Sequence, residues 1–238
     1  MRKEELQDIG SNDDSFIMSL ARGLLVLQAF SRKWKHLSMS QISHLTGISR
    51  AAVGRSLHTL KKLGYVGIDE NQRYYLLPQV LQLSYAYTSS NHLLSLAQPI
   101  LDQLTENLGE SCSLAVVDGE ETVYLARGLS SRIMALELNV GGRAPLYCTA
   151  IGLLALADLS EESLKEYFNH THFVRYTEYT VTDPEAVMQA INAARAQGYS
   201  VSSRQRNPYF EAIAVPLRNE SGAVFGGINI IVKGGSTP

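Results

Sequence analysis

A ten-residue segment, residues 143–152, has the composition of a loop that leads into the start of a helix. The first amide groups of such a helix, here those of Ala150, Ile151 and Gly152, have no partner inside the helix. Together with the helix dipole they attract anions, so the segment favours a small carboxylate as its ligand. Water or the hydroxyl group of Thr149 could satisfy the same amide groups instead.

Few other residues have the types and spacing that enzyme chemistry requires. His170 and His172 are two positions apart in a predicted loop, which makes a weak metal pair. Cys112 and Cys148 lie among apolar neighbours and are interpreted as packed side chains rather than nucleophiles. The sequence contains no nucleophile elbow, phosphate-binding loop, dinucleotide glycine pattern or HExxH motif. We therefore expect neither an enzyme nor a metal or cofactor site.

Basic side chains are concentrated near the N-terminus of this 238-residue chain. Residues 15–68 hold eight Lys and Arg and no Asp or Glu, whereas residues 74–238 hold ten basic and sixteen acidic side chains, a balance of −6. The total net charge of −2 hides this contrast. A small basic segment joined to a larger acidic one is typical of a module that binds a polyanion, and a chance fluctuation of surface charge is the alternative.

Apolar and capping residues in the basic segment predict a helix-turn-helix. Apolar residues three and four positions apart indicate a helix over residues 16–30. Ser40 is a candidate cap for a short helix over residues 41–46, and Gly47 suits the left-handed turn that would end it. A second helix over residues 50–63 follows at the spacing of the motif that places its second helix in the major groove of DNA.

This second helix has an apolar face and an opposite face of small and basic residues. Small residues let a helix lie deep in the major groove and arginine reaches guanine edges, whereas a merely solvated basic face is the alternative. Strands over residues 65–69 and 73–77 would add a β-hairpin and complete a winged helix. The candidate DNA contacts are Arg22, Ser49, Arg50, Ala51, Arg55, His58, Lys62, Asn71 and Arg73.

After the hairpin the pattern changes to a linker helix and then to a mixed domain with an antiparallel sheet, so the fold class is α+β. The predicted domains are a winged helix-turn-helix over residues 15–77, a linker helix over 78–91 and a ligand-binding domain over 92–238. Further helices are predicted over residues 93–108, 149–157 and 184–197, the last with Asp183 as its cap, and a short one after Ser160. Strands are predicted over residues 111–117, 122–127, 132–140, 212–218 and 223–232.

No apolar run reaches the roughly 18 residues that span a bilayer, so we expect no membrane-spanning segment. The first fourteen residues are polar and acidic and have no apolar core of a secretion signal. The two cysteines have no spacing typical of a disulfide framework. These features favour a cytoplasmic protein.

In combination, the motifs resemble the IclR family of bacterial transcription regulators. The resemblance covers about residues 15–232 and is greatest to the branch that regulates the breakdown of protocatechuate and 4-hydroxybenzoate, the β-ketoadipate pathway. It rests on the runs Leu-Ala-Arg-Gly-Leu at 20–24, Thr-Gly-Ile-Ser-Arg-Ala-Ala-Val at 46–53, Leu-Gly-Tyr-Val at 63–66, Gly-Glu-Ser-Cys-Ser-Leu-Ala-Val at 109–116, Arg-Ile-Met at 132–134, Pro-Leu-Tyr-Cys-Thr at 145–149 and Gln-Gly-Tyr at 197–199.

The resemblance implies a winged helix on a linker helix, a GAF-like effector domain, and homodimers that often pair into tetramers. The implied function is a DNA-binding transcription regulator controlled by a small carboxylate, with double-stranded operator DNA and RNA polymerase as partners. A small-molecule-binding enzyme or sensor whose winged helix contacts protein is the alternative. The implied effector-binding positions are Leu136, Cys148, Thr149, Ala150, Ile151, Ser202, Ala212, Asn229 and Ile231.

Two departures from the family pattern lead to further expectations. Members of the family carry an acidic run after the Gly-Tyr pair, where this chain has residues 200–206 with Arg204 and Arg206. Losing acids and gaining arginines favours an anionic effector. The family also continues into a C-terminal helix, and the strand over residues 223–232 is apolar on both faces. We therefore expect an uncovered apolar face, with association beyond a dimer or a less stable effector domain.

Overall fold

The computed structural model describes residues 13–31, 33–130 and 139–234. These residues form two compact units, one ending at Ser90 and the other beginning at Asn91. Leu136 and most of the strand predicted over residues 132–140 lie outside the described residues.

The first unit is a three-helix module followed by a hairpin and a further helix. Its three helices pack around fully buried apolar side chains such as Val26, Ile42 and Leu57. Gly47, between the second and third helices, has a φ of +70° that glycine adopts without strain, as predicted. The elements are α1 (Met18–Gln28), α2 (Met39–Thr46), α3 (Arg50–Lys62), β1 (Val66–Ile68), β2 (Tyr74–Leu76), a 3-10 turn (Pro78–Val80) and α4 (Leu81–Ser90).

The cap of α2 is Ser38 rather than the predicted Ser40. The Ser38 hydroxyl accepts a hydrogen bond from the Gln41 amide (3.2 Å), and the Gln41 side chain accepts one from the Ser38 amide (2.9 Å). This reciprocal pair satisfies two amide groups at once, which a cap at Ser40 could not do, so the helix begins two residues earlier than expected. Ser49 stands at the N-cap position of α3 but makes no side-chain capping hydrogen bond.

The second unit is a six-stranded antiparallel sheet with helices on its faces. The strand order is β5-β4-β3-β8-β7-β6. Strands β5 and β6 were not predicted, because both are short and lie in runs that read as loop. The elements are α5 (His92–Leu108), β3 (Ser111–Asp118), β4 (Glu121–Gly128), β5 (Arg143–Pro145), a 3-10 turn (Leu146–Cys148), α6 (Ala150–Asp158), α7 (Glu161–His170), α8 (Pro184–Gln197), β6 (Ser200–Ser203), β7 (Phe210–Arg218) and β8 (Val224–Lys233).

Helices cover both faces of the central strands. On one face, α6 packs against the sheet through Ile151 and Leu154. On the other face, α5 contributes Leu101 to a cluster that also holds Ile228 and Ile230 of β8. The expectation of an uncovered face is therefore wrong for β8, because α5 supplies the cover. Further along the same face, Val201 and Val215 remain 44% and 50% exposed.

Within the described ranges, no helix is both long enough and apolar enough to cross a membrane.

Candidate functional site

The exposed side of α3 carries most of the predicted DNA contacts. Ala52, Val53, Leu57 and Leu60 are buried against the other helices. Their burial leaves a set of polar, small and basic residues exposed, which we call the α3 surface: Arg50, Ala51, Arg55, His58 and Lys62. None of these cations forms an ion pair with a carboxylate of the described residues. The α3 surface is therefore a positive patch that runs along the second helix of the helix-turn-helix, without a carboxylate partner among the described residues.

The hairpin tip is held in place by Asp69. Its carboxylate accepts hydrogen bonds from the amides of Asn71 and Arg73, both at 2.9 Å, and lies 2.9 Å from Nδ1 of His36. The Arg73 amide in particular lowers the pKa of Asp69. The side chains of Asn71 and Arg73 remain exposed, so a fixed turn presents the two predicted wing contacts to solvent.

Arg22 has a different position from the other predicted contacts. It is half-buried on α1. Together with Arg55 it lines a groove between α1 and α3 whose walls are largely apolar, with Leu20, Leu24 and Leu63 exposed. Arg22 thus lies beside the α3 surface rather than on it.

The second unit contains a cavity of about 80 Å³ between α6, the sheet and the segment after β6. This volume is several times the roughly 10–15 Å³ that holds one water. Seven of the predicted effector-binding residues line it: Cys148, Thr149, Ala150, Ser202, Ala212, Asn229 and Ile231. The side chain of Ile151 points away, because successive helix residues are rotated by about 100°, and it packs in the core beside Gly227.

The start of α6 leaves two amide groups for a ligand. The Thr149 hydroxyl accepts a hydrogen bond from the Gly152 amide (3.2 Å). For Gly152, therefore, Thr149 rather than a ligand satisfies the amide group. Among the described residues, the amides of Ala150 and Ile151 have no acceptor. Gly152 has no room for a side chain, since a Cβ atom there would collide with the backbone of Leu146. The 3-10 turn therefore closes tightly against the helix start.

A row of buried polar groups crosses the sheet beside the cavity. The strand register sets Arg127 of β4 opposite Ser113 of β3, and Ser113 opposite Asn229 of β8. Arg127 is 8% exposed and the other two are almost fully buried. The three guanidinium nitrogens, the Ser113 hydroxyl and the Asn229 Oδ1 have no hydrogen-bond partner among the described residues. A buried charge without a partner costs several kcal/mol, so this row requires a polar ligand or water.

A β-bulge aims two side chains of β4 into the same cavity. Strand β3 pairs Leu114 with Ala126 and Ala115 with Tyr124, which leaves Leu125 without a partner. Regular alternation would place residues three apart on opposite faces, but the extra residue brings Tyr124 and Arg127 to one face. Both line the cavity.

The segment after β6 closes another side of the cavity with Gln205 and Arg206. The Arg206 Cζ atom lies 3.8 Å from the centre of the Tyr176 ring, and its Nε and Nη1 have no hydrogen-bond partner among the described residues. Gln205 accepts a hydrogen bond from the Val181 amide (3.1 Å), which fastens the segment to the loop before α8. Arg204, by contrast, lies 3.7 Å from the Glu211 carboxylate.

The titrating groups of the cavity show the effect of burial. Burial raises the pKa of Cys148 to about 12 although Arg206 opposes the rise, so the thiol stays protonated and cannot act as a nucleophile at neutral pH. Burial also raises the pKa of Tyr124 and lowers the pKa of Arg127. The lowered pKa of Arg127 has the sign expected for a cation without a counter-ion.

Sequence reasoning missed Tyr124, Arg127 and Gln205 as cavity residues and named Arg206 only as a charge. A lone arginine near the end of an apolar strand was the available signal for Arg127.

The cysteines are both buried and free. In the ranges that the structure covers, no group of three His, Cys, Asp or Glu could hold a metal ion.

A winged helix with a basic surface, in one chain with a domain whose cavity is bordered by buried polar groups, defines a ligand-responsive transcription regulator. The chain belongs to the IclR family: the model of the IclR helix-turn-helix domain matches residues 19–70, and the model of the bacterial transcriptional regulator IclR C-terminal region matches residues 85–235. The protein is accordingly a DNA-binding regulator under effector control. Membership in this family favours DNA as the partner of the winged helix over the alternative, a contact with another protein.

Three proteins show which members of the family this chain is similar to. The chain is 42% identical over 221 residues to the Pca regulon regulatory protein of Pseudomonas putida, covering 92% of this chain and 76% of that protein. It is 34% identical to the p-hydroxybenzoate hydroxylase transcriptional activator of Acinetobacter baylyi, covering 91% and 81%. The crystal structure of an IclR homolog from Microbacterium hydrocarbonoxydans complexed with 4-hydroxybenzoate shares the fold, with a TM-score of 0.76, 23% identity, and 92% and 91% of the two chains covered.

Proposed function

We propose that the effector of this regulator is a small aromatic carboxylate that binds in the cavity at the start of α6. The observation that carries the proposal is the buried guanidinium of Arg127, which faces the cavity without a hydrogen-bond partner among the described residues. A carboxylate can accept from Arg127 in a bidentate arrangement and from the amides of Ala150 and Ile151. The names of the relatives support an aromatic acid, since one is the p-hydroxybenzoate hydroxylase transcriptional activator and the structure of another homolog contains 4-hydroxybenzoate.

The lining of the cavity suits a ring as well as an acid. Tyr124, Phe210 and Ile231 offer apolar and aromatic surface, which contributes binding free energy without setting orientation. The Ser202 hydroxyl donates a hydrogen bond to the Cys148 carbonyl oxygen (3.0 Å), which ties β6 to the 3-10 turn before α6. Asn229 Oδ1 remains available to accept from a phenolic hydroxyl group.

On DNA, the α3 surface enters the major groove with Ser49, Arg50, Ala51, Arg55 and His58 at the base edges, while Lys62, Asn71, Arg73 and Arg22 contact the backbone or minor groove. The proposed domain boundaries remain residues 15–77, 78–91 and 92–238. The protein acts in the cytoplasm as a homodimer or tetramer that recruits or blocks RNA polymerase, and it is not an enzyme. The names of its relatives as regulators support this role.

Isothermal titration of the full chain with 4-hydroxybenzoate, benzoate and protocatechuate tests the effector proposal. We expect binding of at least one acid and a loss of roughly 10- to 100-fold in Arg127→Gln, the size of a lost charged hydrogen bond. Lys165→Gln, which removes an exposed cation on α7, is the matched control and should bind normally. The Arg127→Gln variant should fold, since it removes an uncompensated buried charge. Normal affinity in Arg127→Gln would overturn the proposal.

A further inference from the structure

We propose that His36 is a positioning residue for DNA binding, which acts through Asp69 to fix how the wing presents Arg73 to the duplex. The wing is the hairpin of β1 and β2, residues 66–76. His36 lies outside it, in the stretch between α1 and α2. The inference rests on the proposed function, because it takes Arg73 to be a DNA contact.

The two carboxylate oxygens of Asp69 serve different parts of the module. Oδ1 accepts hydrogen bonds from the amides of Asn71 and Arg73, both at 2.9 Å, and so shapes the tip of the wing. Oδ2 lies 2.9 Å from Nδ1 of His36. One carboxylate therefore joins the tip of the wing to the segment that leads into α2.

The residue after His36 is anchored in the core of the three-helix module. Leu37 is fully buried among the side chains of the helices. Its amide donates a hydrogen bond to the carbonyl oxygen of Tyr74 in β2 (3.0 Å), and the Tyr74 amide donates one to the Leu37 carbonyl oxygen (2.8 Å). The turn over residues 69–73 extends beyond this bridge, where the contact between His36 and Asp69 ties it to the helical body.

The His36 ring is also fixed in orientation. It is stacked on the ring of Tyr75, with 5.3 Å between the ring centroids and 30° between the ring planes. The Tyr75 ring in turn lies against Gly67 on the neighbouring strand, where a Cβ atom would lie 2.6 Å from Tyr75 Cζ. The stack and the anchored backbone together direct Nδ1 of His36 at Asp69.

The chemistry of the pair assigns the donor. The Arg73 amide, with smaller contributions from His36 and the Asn71 amide, lowers the pKa of Asp69, so its carboxylate is ionised at neutral pH and can only accept. Nδ1 of His36 therefore carries the proton. Asparagine can place an amide N–H near this position, whereas phenylalanine keeps a ring but offers no donor. These two substitutions separate the hydrogen bond from the stacking.

Fluorescence anisotropy with the full chain tests the inference, on a duplex that the protein selects from a random-sequence library. The side chain of His36 is 48% exposed, so its substitution should leave the module folded. We expect His36→Phe to bind the duplex roughly 2- to 5-fold more weakly, the size of an exposed charged contact, and His36→Asn to bind like the wild type. His170→Phe, the same substitution at an exposed histidine of α7, is the matched control and should bind normally.

A double-mutant cycle with Arg73→Ala separates positioning from a direct contact of His36 with DNA. If His36 acts by placing Arg73, the double variant should bind about as tightly as Arg73→Ala alone, because the second loss is already contained in the first. Losses that multiply would mean that His36 acts independently of Arg73, and they would overturn the inference. Wild-type affinity in His36→Phe, or a loss in His36→Asn as large as that in His36→Phe, would overturn it as well.

The outcomes separate this inference from the proposed function. If Arg73→Ala weakens binding and His36→Phe does not, the wing contact stands and the inference is wrong. If Arg73→Ala alone has no effect, the proposed wing contact of Arg73 and this inference both fail. His36→Ala, which introduces no bulk, takes the place of His36→Phe in the same cycle if that variant does not fold.

Discussion

The arginines of the α3 surface and those of the cavity are held in opposite environments. Arg50 and Arg55 have no ion-pair partner among the described residues. Because both side chains are exposed, water hydrates them and dissolved anions screen their charge. Arg127 is buried, and its guanidinium likewise has no hydrogen-bond partner there. The same lack of a partner costs almost nothing at the surface and several kcal/mol inside. An unpaired cation therefore indicates a ligand much more strongly in the cavity than on α3.

The difference also determines how each site responds to conditions. Exposed cations act on a polyanion through long-range attraction that salt screens over roughly 8–10 Å. Cations that line a cavity act on a bound ligand over short distances, where screening by salt is much weaker. We therefore expect DNA affinity to fall steeply with salt concentration and effector affinity to change little. The following variants test this contrast, from the largest expected effect to the smallest.

Ala150→Asp should give the largest effect, a loss of effector affinity of more than about 100-fold. A carboxylate at the first position of α6 is compatible with the helix, because the helix dipole favours it, but it occupies the place proposed for the effector's own carboxylate. Titration with the best-binding acid measures the loss.

Ala150→Asn is the control for that variant, since it has nearly the same shape without the charge. If Ala150→Asn blocks binding as fully as Ala150→Asp, crowding rather than charge explains the loss. An unchanged affinity in Ala150→Asp would place the acid somewhere else. DNA affinity without effector should stay the same in both variants.

Arg55→Ala should weaken binding to a specific operator by roughly 1–3 kcal/mol if Arg55 contacts a base edge. The loss should be much smaller on unrelated DNA, because base contacts carry the sequence information. Fluorescence anisotropy with both duplexes measures the ratio. A folded Arg55→Ala variant that keeps full specificity would show that α3 meets the operator with a different face.

The winged helix was predictable from sequence because its signals are local. Gly47 ends α2 with the positive φ that glycine favours, and the apolar spacing of α3 marks its buried side. The misplaced cap of α2, Ser40 in place of Ser38, arose because two serines stand two positions apart. The Gln41 side chain decides between them by completing the reciprocal pair.

The cavity was only partly predictable, because its key groups meet through the sheet. The start of α6 could be inferred from residues 143–152, but the place of Arg127 depends on the bulge at Leu125. Strict alternation gives no sign that Tyr124 and Arg127 share a face. The row of Arg127, Ser113 and Asn229 joins the consecutive strands β3 and β4 to β8, which lies far along the chain. It therefore depends on strand register, which single-sequence patterns do not fix.

Lys62→Ala should give the smallest effect and sharpens the contrast most directly. Lys62 is exposed in the last turn of α3, and we propose that it contacts phosphate rather than a base. Its removal should weaken binding to every duplex alike and reduce the slope of log affinity against log salt by about 0.9, the release of one counter-ion. Affinity measured from low to high salt on specific and unrelated DNA gives both slopes.

The slope of log effector affinity against log salt, measured in parallel, should remain near zero in wild type and variant, because a buried guanidinium is not surrounded by exchangeable ions. A salt slope unchanged by Lys62→Ala would remove Lys62 from the interface, and a steep slope for the effector would mean that the cavity is open to solvent.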